Sequence, residues 1–179
     1  HFVAEFDQPI SGFSVWTENG VEEDTNELSI KGAKDAGAIV EFDTKTNNIV
    51  QLRTGISYVN IENARENLEE EVTIPYGWDF EAVRQGQVDT WDDLFDRVKI
   101  ESQDSREKMR FYNNMYRSIC SRNIFSDVNG EWIDVNEKLQ KMEDPTSPAL
   151  GCDAFWNTFW NLNQFWNLVT PEWSNRWVK

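Results

Sequence analysis

Apolar and polar residues alternate in short runs over the first sixty positions, and then the period changes. Phe2, Ala4 and Phe6 alternate with polar or smaller neighbours, and Phe13-Ser14-Val15-Trp16 forms a second run that ends at the turn-forming Asn19-Gly20. Ala38-Ile39-Val40-Glu41-Phe42 and Ile49-Val50-Gln51-Leu52 flank residues 44–48, which read as a hairpin connection, and Ile56-Ser57-Tyr58-Val59 follows Gly55. Short strands with turn signals at close spacing predict an antiparallel sheet or sandwich.

From residue 61 the spacing is helical. Residues 61–71 read as a short polar helix that stops before Pro75, which lacks an N–H. Asp79 caps a longer helix with Phe80, Val83, Gln87, Trp91, Leu94, Phe95 and Val98 on one stripe. Met109, Tyr112, Met115, Tyr116 and Ile119 predict a third helix over 105–120, capped by Asp104 or Ser105. Asn129-Gly130, between apolar runs at 125–128 and 131–135, predicts a hairpin, because both turn positions tolerate positive φ. Residues 136–151, with Pro145, Pro148 and Gly151, read as a loop. In the tail, Phe155, Phe159, Leu162, Trp166 and Val169 step by four and three along one helical face, with Asp153 as cap and Pro171 as stop.

The tail's other positions carry the candidate chemistry. Asn157, Asn161, Asn163, Gln164 and Asn167 bear amides where a solvated helix face would use Lys and Glu, and they interleave with Trp156 and Trp160. Aromatic faces stack on the apolar side of a pyranose, and amides both donate to and accept from hydroxyls. Two readings stay open from residue types alone: a sugar-binding surface, or a buried helix whose amides satisfy neighbouring backbone groups.

Charge narrows the partners. The 179 residues include 32 Asp and Glu against 17 scattered Lys and Arg, a net charge of −15, which argues against nucleic acid and anionic membrane surfaces as partners. No apolar run approaches the ~20 residues of a membrane span. The acidic run Glu22-Glu23-Asp24 and the set Asp89, Asp92, Asp93 and Asp96 read as solvated. Cys120 and Cys152 have no metal-ligand neighbours at useful spacing and the only histidine is His1, so packed, reduced thiols are expected rather than a zinc site. There is no internal repeat, phosphate loop, nucleophile elbow or Ser/His/Asp order. The abrupt strand-like start and the unfinished aromatic stretch at Trp177-Val178-Lys179 point to a piece of something longer.

Three stretches, in order, carry a family resemblance. The first is Gly55-Ile56-Ser57-Tyr58-Val59-Asn60-Ile61-Glu62-Asn63-Ala64 with Trp78-Asp79-Phe80 and Trp91. The second is Phe111-Tyr112-Asn113-Asn114-Met115-Tyr116-Arg117-Ser118 followed by Asn123-Ile124-Phe125-Ser126-Asp127-Val128-Asn129-Gly130. The third is Trp156-Asn157-Thr158-Phe159 with Leu168-Val169-Thr170-Pro171-Glu172. Together they resemble glycoside hydrolase family 92, the calcium-dependent α-mannosidases.

The resemblance implies an α+β chain: the end of an antiparallel β-sandwich over 1–60, a helical linker over 61–100, and the first helices of an incomplete (α/α)6 toroid over 101–179. It implies a fragment of an inverting exo-α-mannosidase acting on α-linked mannose of glycans, in which a general acid and a base lie about 6.5–9.5 Å apart. The acid, the base and most calcium ligands are implied to lie further along the toroid, so no catalytic or metal-ligating residue is assigned. The substrate-binding candidates are Trp156, Asn157 and Trp160. The family's Trp-Asp pair reads Trp156-Asn157 here, and its following Arg is Trp160, which replaces charge with neutral polarity in the mannose pocket. The implied partners are a mannose-containing glycan and the remainder of the catalytic domain, and the implied location is periplasmic or secreted. A non-catalytic carbohydrate-binding module and an aromatic protein-interaction module are the alternatives.

Overall fold

The computed structural model describes residues 1–23, 35–120, 122–144, 146–151 and 155–178. Within them the chain has an α+β fold of two units, Ala4–Thr54 and His1–Val3 with Gly55–Lys179. Asp24, Pro145, Cys152 and the expected cap Asp153 lie outside the described residues.

The strands of the first sixty residues are β1 (Phe2–Phe6), β2 (Gly12–Thr17), β3 (Gly20–Glu23), β4 (Ala36–Glu41) and β5 (Leu52–Ile56). β2 is the centre of a three-stranded sheet, antiparallel to β3 and β4, with Trp16 opposite Val21 on one side and Gly37 on the other. Asn19-Gly20 makes the expected turn, with Gly20 at φ 134°, a conformation L side chains rarely adopt. β1 pairs with β5.

The expected hairpin across 44–48 does not form, because each flanking segment has another partner. β4 is taken by β2, and residues 49–51 run beside the end of β1 instead: Gln51 N–H donates to Asp7 Oδ1 at 2.9 Å and Asp7 N–H to the Gln51 carbonyl at 3.3 Å. Between them Asp43 and Asn47 cap their own backbone two residues on, at 3.1 and 3.0 Å, local turns that compete with ladder pairing. The run 56–59 is likewise not a strand. β5 ends at Ile56, and Ser57 Oγ turns the chain by accepting the Val59 N–H at 2.9 Å.

In the larger unit, α1 (Ile61–Leu68) starts at Asn60, whose side chain accepts the Asn63 N–H at 2.6 Å. Ala64 and Leu68 are sealed with Val3 in one apolar cluster to which Val72 adds. Gly55 permits this contact: a Cβ there would stand 2.1 Å from the Ala64 carbonyl oxygen and 2.7 Å from Leu68 Cβ. The helix does not stop before Pro75. One π-turn over 69–73 shifts the hydrogen bonding so that Ile74 N–H bonds the Glu69 carbonyl, and α2 (Ile74–Tyr76) carries the proline in its first turn, where no N–H is needed. Gly77, at φ 59°, ends it.

Asp79 caps α3 (Phe80–Asp96) as expected, accepting the Ala82 N–H at 2.9 Å, and Asp104 caps α4 (Ser105–Ile119). The two helices join through rings: Trp91 lies 4.6 Å from Tyr116, and Phe95 lies 5.7 Å from Tyr112. Met115 is the buried centre of the α4 stripe, while Phe80 and Met109 at the stripes' outer ends are exposed. Asp89, Asp92, Asp93 and Asp96 are exposed. Cys120 is a free thiol but an exposed one rather than packed, because the α4 stripe buries Met115 and leaves position 120 at the helix end.

Four short strands follow. β6 (Asn123–Ile124) pairs with β9 (Leu150–Gly151), and β7 (Glu131–Ile133) pairs with β8 (Leu139–Lys141). The expected hairpin about Asn129-Gly130 is thus a tight turn only, with Gly130 at φ 85°, and β7 finds its partner within the stretch expected to be loop. The cause lies at both ends. Asp127 is held by α1, and Asp134 Oδ1 accepts the N–H groups of Asn136 and Lys138 at 2.8 and 3.0 Å, closing the β7–β8 turn.

The single tail helix is instead three pieces: α5 (Phe155–Thr158), α6 (Leu162–Val169) and α7 (Pro171–Val178). Asn161, at φ −154° and ψ −19°, breaks the first from the second. Pro171 ends α6 and also begins α7, since its fixed φ suits a first helical position. The apolar face is therefore continuous only from Leu162 onward: Trp166 and Val169 are buried, while Phe159 is half exposed.

Candidate functional site

The break at Asn161 is what creates a concave surface. Asn157, Thr158, Trp160, Asn161 and Leu162 form one wall of an open depression of about 600 Å³, and Asn114, Arg117 and Ser118 of α4 form the other. Of the three sequence candidates, Asn157 and Trp160 come together here. Trp156 does not line this depression, and its ring is 78% exposed. Trp160 is 71% exposed and stacks on Phe159 at 4.8 Å, which presents a broad ring surface at the rim. Asn161 turns its carbonyl into α6, where it accepts the Phe165 N–H at 3.0 Å.

Among the described residues the lining contains amides, hydroxyls, one guanidinium, an indole and the Leu162 side chain, and no carboxylate. Such a surface can donate and accept hydrogen bonds with neutral hydroxyls and can stack a ring face, but it cannot supply a general acid or base. The α4 wall escaped the sequence reading. Its signal was present: Asn114, Arg117 and Ser118 stand at i, i+3 and i+4, one helical face beside the buried Met115 stripe.

Behind the depression the two walls are fastened together. Trp166, 4% exposed, donates from Nε1 to the Ser118 carbonyl at 2.9 Å, and Ser118 Oγ donates to the Asn114 carbonyl at 2.8 Å. The Arg122 guanidinium lies over two rings, 4.6 Å from Trp166 and 4.4 Å from Trp177, and donates to Asn163 Oδ1. Arg97 secures the other end of α6, donating to the Val169 carbonyl at 3.1 Å and pairing with Glu172. Burial raises the Glu172 carboxyl, but the Arg97 hydrogen bond, a backbone N–H and the Arg97 and Arg176 charges together hold it below the usual glutamate range.

A second polar assembly lies where α1 meets the turn at 127–131. Asp127 accepts from Ser57 Oγ, Asn63 Nδ2 and Asn67 Nδ2 at 2.7, 2.8 and 2.7 Å, and Asn63 Nδ2 also reaches Glu131 at 3.0 Å. These acceptors are already satisfied by protein donors, so the assembly reads as a structural joint. Among the described residues no group of three or more His, Cys, Asp or Glu side chains is arranged to hold a metal ion.

Residues 63–179 match the glycosyl hydrolase family 92 catalytic domain, and residues 1–57 match the glycosyl hydrolase family 92 N-terminal domain. A curated relative, an uncharacterized secreted glycosidase of Arthroderma benhamiae, is 28% identical over 101 residues, 54% of this chain and 13% of that protein. The family GH92 inverting mannosidase of Bacteroides thetaiotaomicron VPI-5482 superposes with a TM-score of 0.82 at 20% identity, covering 98% of this chain and 23% of that one. A family GH92 α-mannosidase of Bacteroides thetaiotaomicron gives 0.77 at 24% identity over 96% of this chain and 23% of that one, and it has also been solved in complex with mannoimidazole. The chain therefore spans less than a quarter of these solved structures and 13% of the curated relative.

Proposed function

Because the chain belongs to glycosyl hydrolase family 92 through both its N-terminal and its catalytic domain, we propose that it serves an enzyme that hydrolyses α-linked mannose of glycans with inversion, acting from the chain end. The observation that carries this reading is the depression in which Asn157 and Trp160 meet Asn114 and Arg117. Its neutral amides and exposed indole suit a hexose, and its described lining residues are those that hold a sugar rather than cleave a bond. In this reading Asn157 and Trp160 contact mannose directly, and Trp156 adds a ring at the margin.

Inversion needs an acid that protonates the leaving oxygen and a base that activates water from the opposite face. Both are proposed to lie in the remainder of the family's catalytic domain, which completes an (α/α)6 toroid of which 101–179 supplies the first helices. Among the described residues no group of three or more His, Cys, Asp or Glu side chains is arranged to hold a metal ion, so the 6–8 oxygen ligands of a calcium ion are proposed to come mostly from the rest of the catalytic domain. No helix among the described residues is long and apolar enough to cross a membrane. The secreted glycosidase relative supports a secreted or periplasmic location.

The test is turnover of an α-linked mannobiose by the protein expressed at its natural full length, followed by proton NMR. Release of mannose with the β-anomer appearing first is expected, and residues 1–179 alone give no turnover. The α-anomer first, or no mannose at all, contradicts the reading.

A further inference from the structure

One wall belongs to α4 and the other to the 157–162 segment. The stack behind the walls joins them, with Arg122 as its shared element. Arg122 and Trp166 line the neighbouring cavity, not the depression, so neither touches a ligand held there.

We propose that Arg122 is a positioning residue for the depression. This inference rests on the reading of the depression as a mannose site. Arg122 is only 8% exposed, so its charge has left water and its contacts must replace hydration. The planar guanidinium can do so against two indole faces at once, which a point charge cannot. It fixes the Trp166 ring, whose Nε1 then reaches the Ser118 carbonyl at the end of α4. Through its bond to Asn163 it also fixes the first turn of α6, next to Asn161 and Leu162 of the opposite wall. One side chain therefore bears on both walls, from a position three residues past the end of α4.

The experiment uses the full-length protein and compares R122K, W166F and N157A with the parent. R122K keeps the charge and loses the flat stack; W166F keeps a ring and loses the donor to Ser118. Each is expected to raise KM for a 4-nitrophenyl α-mannoside about fivefold, a part of the roughly thirtyfold scale of one desolvated cation–π contact, with kcat changed less than about twofold. Combining R122K with N157A is expected to give less than the product of the single effects, since both act on one wall. A readout that needs no substrate accompanies this: fluorine NMR of 5-fluorotryptophan protein, with Trp160 assigned by W160F. R122K is expected to shift the Trp160 signal, while R84K, altering an exposed pair on α3, leaves it in place. An unmoved Trp160 signal overturns the positioning role, as does an R122K effect on KM that multiplies fully with that of N157A. If N157A leaves KM unchanged but R122K still moves Trp160, the mannose reading falls while the positioning of the wall stands.

Discussion

Asn67 and the segment beginning at Asp127 hold each other by both ends of one amide. Asn67 Nδ2 donates to Asp127 Oδ1 at 2.7 Å, and Asn67 Oδ1 accepts the N–H of Val128 at 2.9 Å. The amide is buried, and the bond it makes to the carboxylate is charge-assisted. Asn67→Leu strips a donor from a carboxylate and an acceptor from a backbone N–H together. It is expected to cost about 2–3 kcal/mol, the range for hydrogen bonds to charged groups. Urea unfolding measures this; a loss below roughly 0.5 kcal/mol, the scatter of ordinary surface changes, contradicts the joint's importance.

The same joint sets two opposite pH effects. Partial burial, and then the Asp127 carboxylate, hold the Glu71 carboxyl above the usual glutamate range. Its charged form is the penalised one, so folding is weakened above the raised pKa and the penalty lifts as pH falls through it. Glu71→Gln is therefore expected to raise Tm near neutrality, with the gain fading as the medium is acidified. Glu131 behaves in reverse. The Asn63 hydrogen bond, with Lys141 assisting against partial burial, holds its carboxyl below the usual range. Its contribution is complete above the unperturbed value of about 4.3 and is lost as pH falls through the lowered one. Glu131→Gln is expected to flatten the acid limb of a Tm–pH series, and identical acid limbs would count against this assignment.

Gly55 sits against α1 with no room for a methyl group, the nearest atom being the Ala64 carbonyl oxygen. Gly55→Ala forces the β5 end and α1 apart and is expected to destabilise by about 1–3 kcal/mol, the usual cost of overpacking. Hydrogen exchange should show the loss first at Ala64 and Leu68, the most deeply buried α1 residues. Unchanged protection there would mean that the contact is not tight.

Much of this was legible in the chain, for reasons that can be located. The caps Asp79 and Asp104 and the α3 and α4 spans could be read because each is a local matter of one side chain and the next turn. What could not be read was partner choice. Nothing near residue 50 says that β1 rather than β4 will claim the adjoining strand, and the Asn129-Gly130 turn signal is silent about β8. The tail misled for a different reason. Its four-and-three spacing is genuine, but Asn161 leaves the helix, and only that departure turns a regular face into a depression. Asn157 and Trp160 were found as residue types; their α4 counterparts became visible only once the chain was folded.

The most direct test concerns Asn157 itself. Mannoimidazole, the ligand of the solved α-mannosidase relative, is titrated calorimetrically into the full-length protein and into its Asn157→Ala variant, with equal Tm values as the control for folding. Loss of the amide's hydrogen bond to a sugar hydroxyl is expected to weaken binding by about 1 kcal/mol or more, roughly fivefold in Kd. An unchanged Kd in a folded variant would remove Asn157 from the sugar site and, with it, the role assigned to the depression.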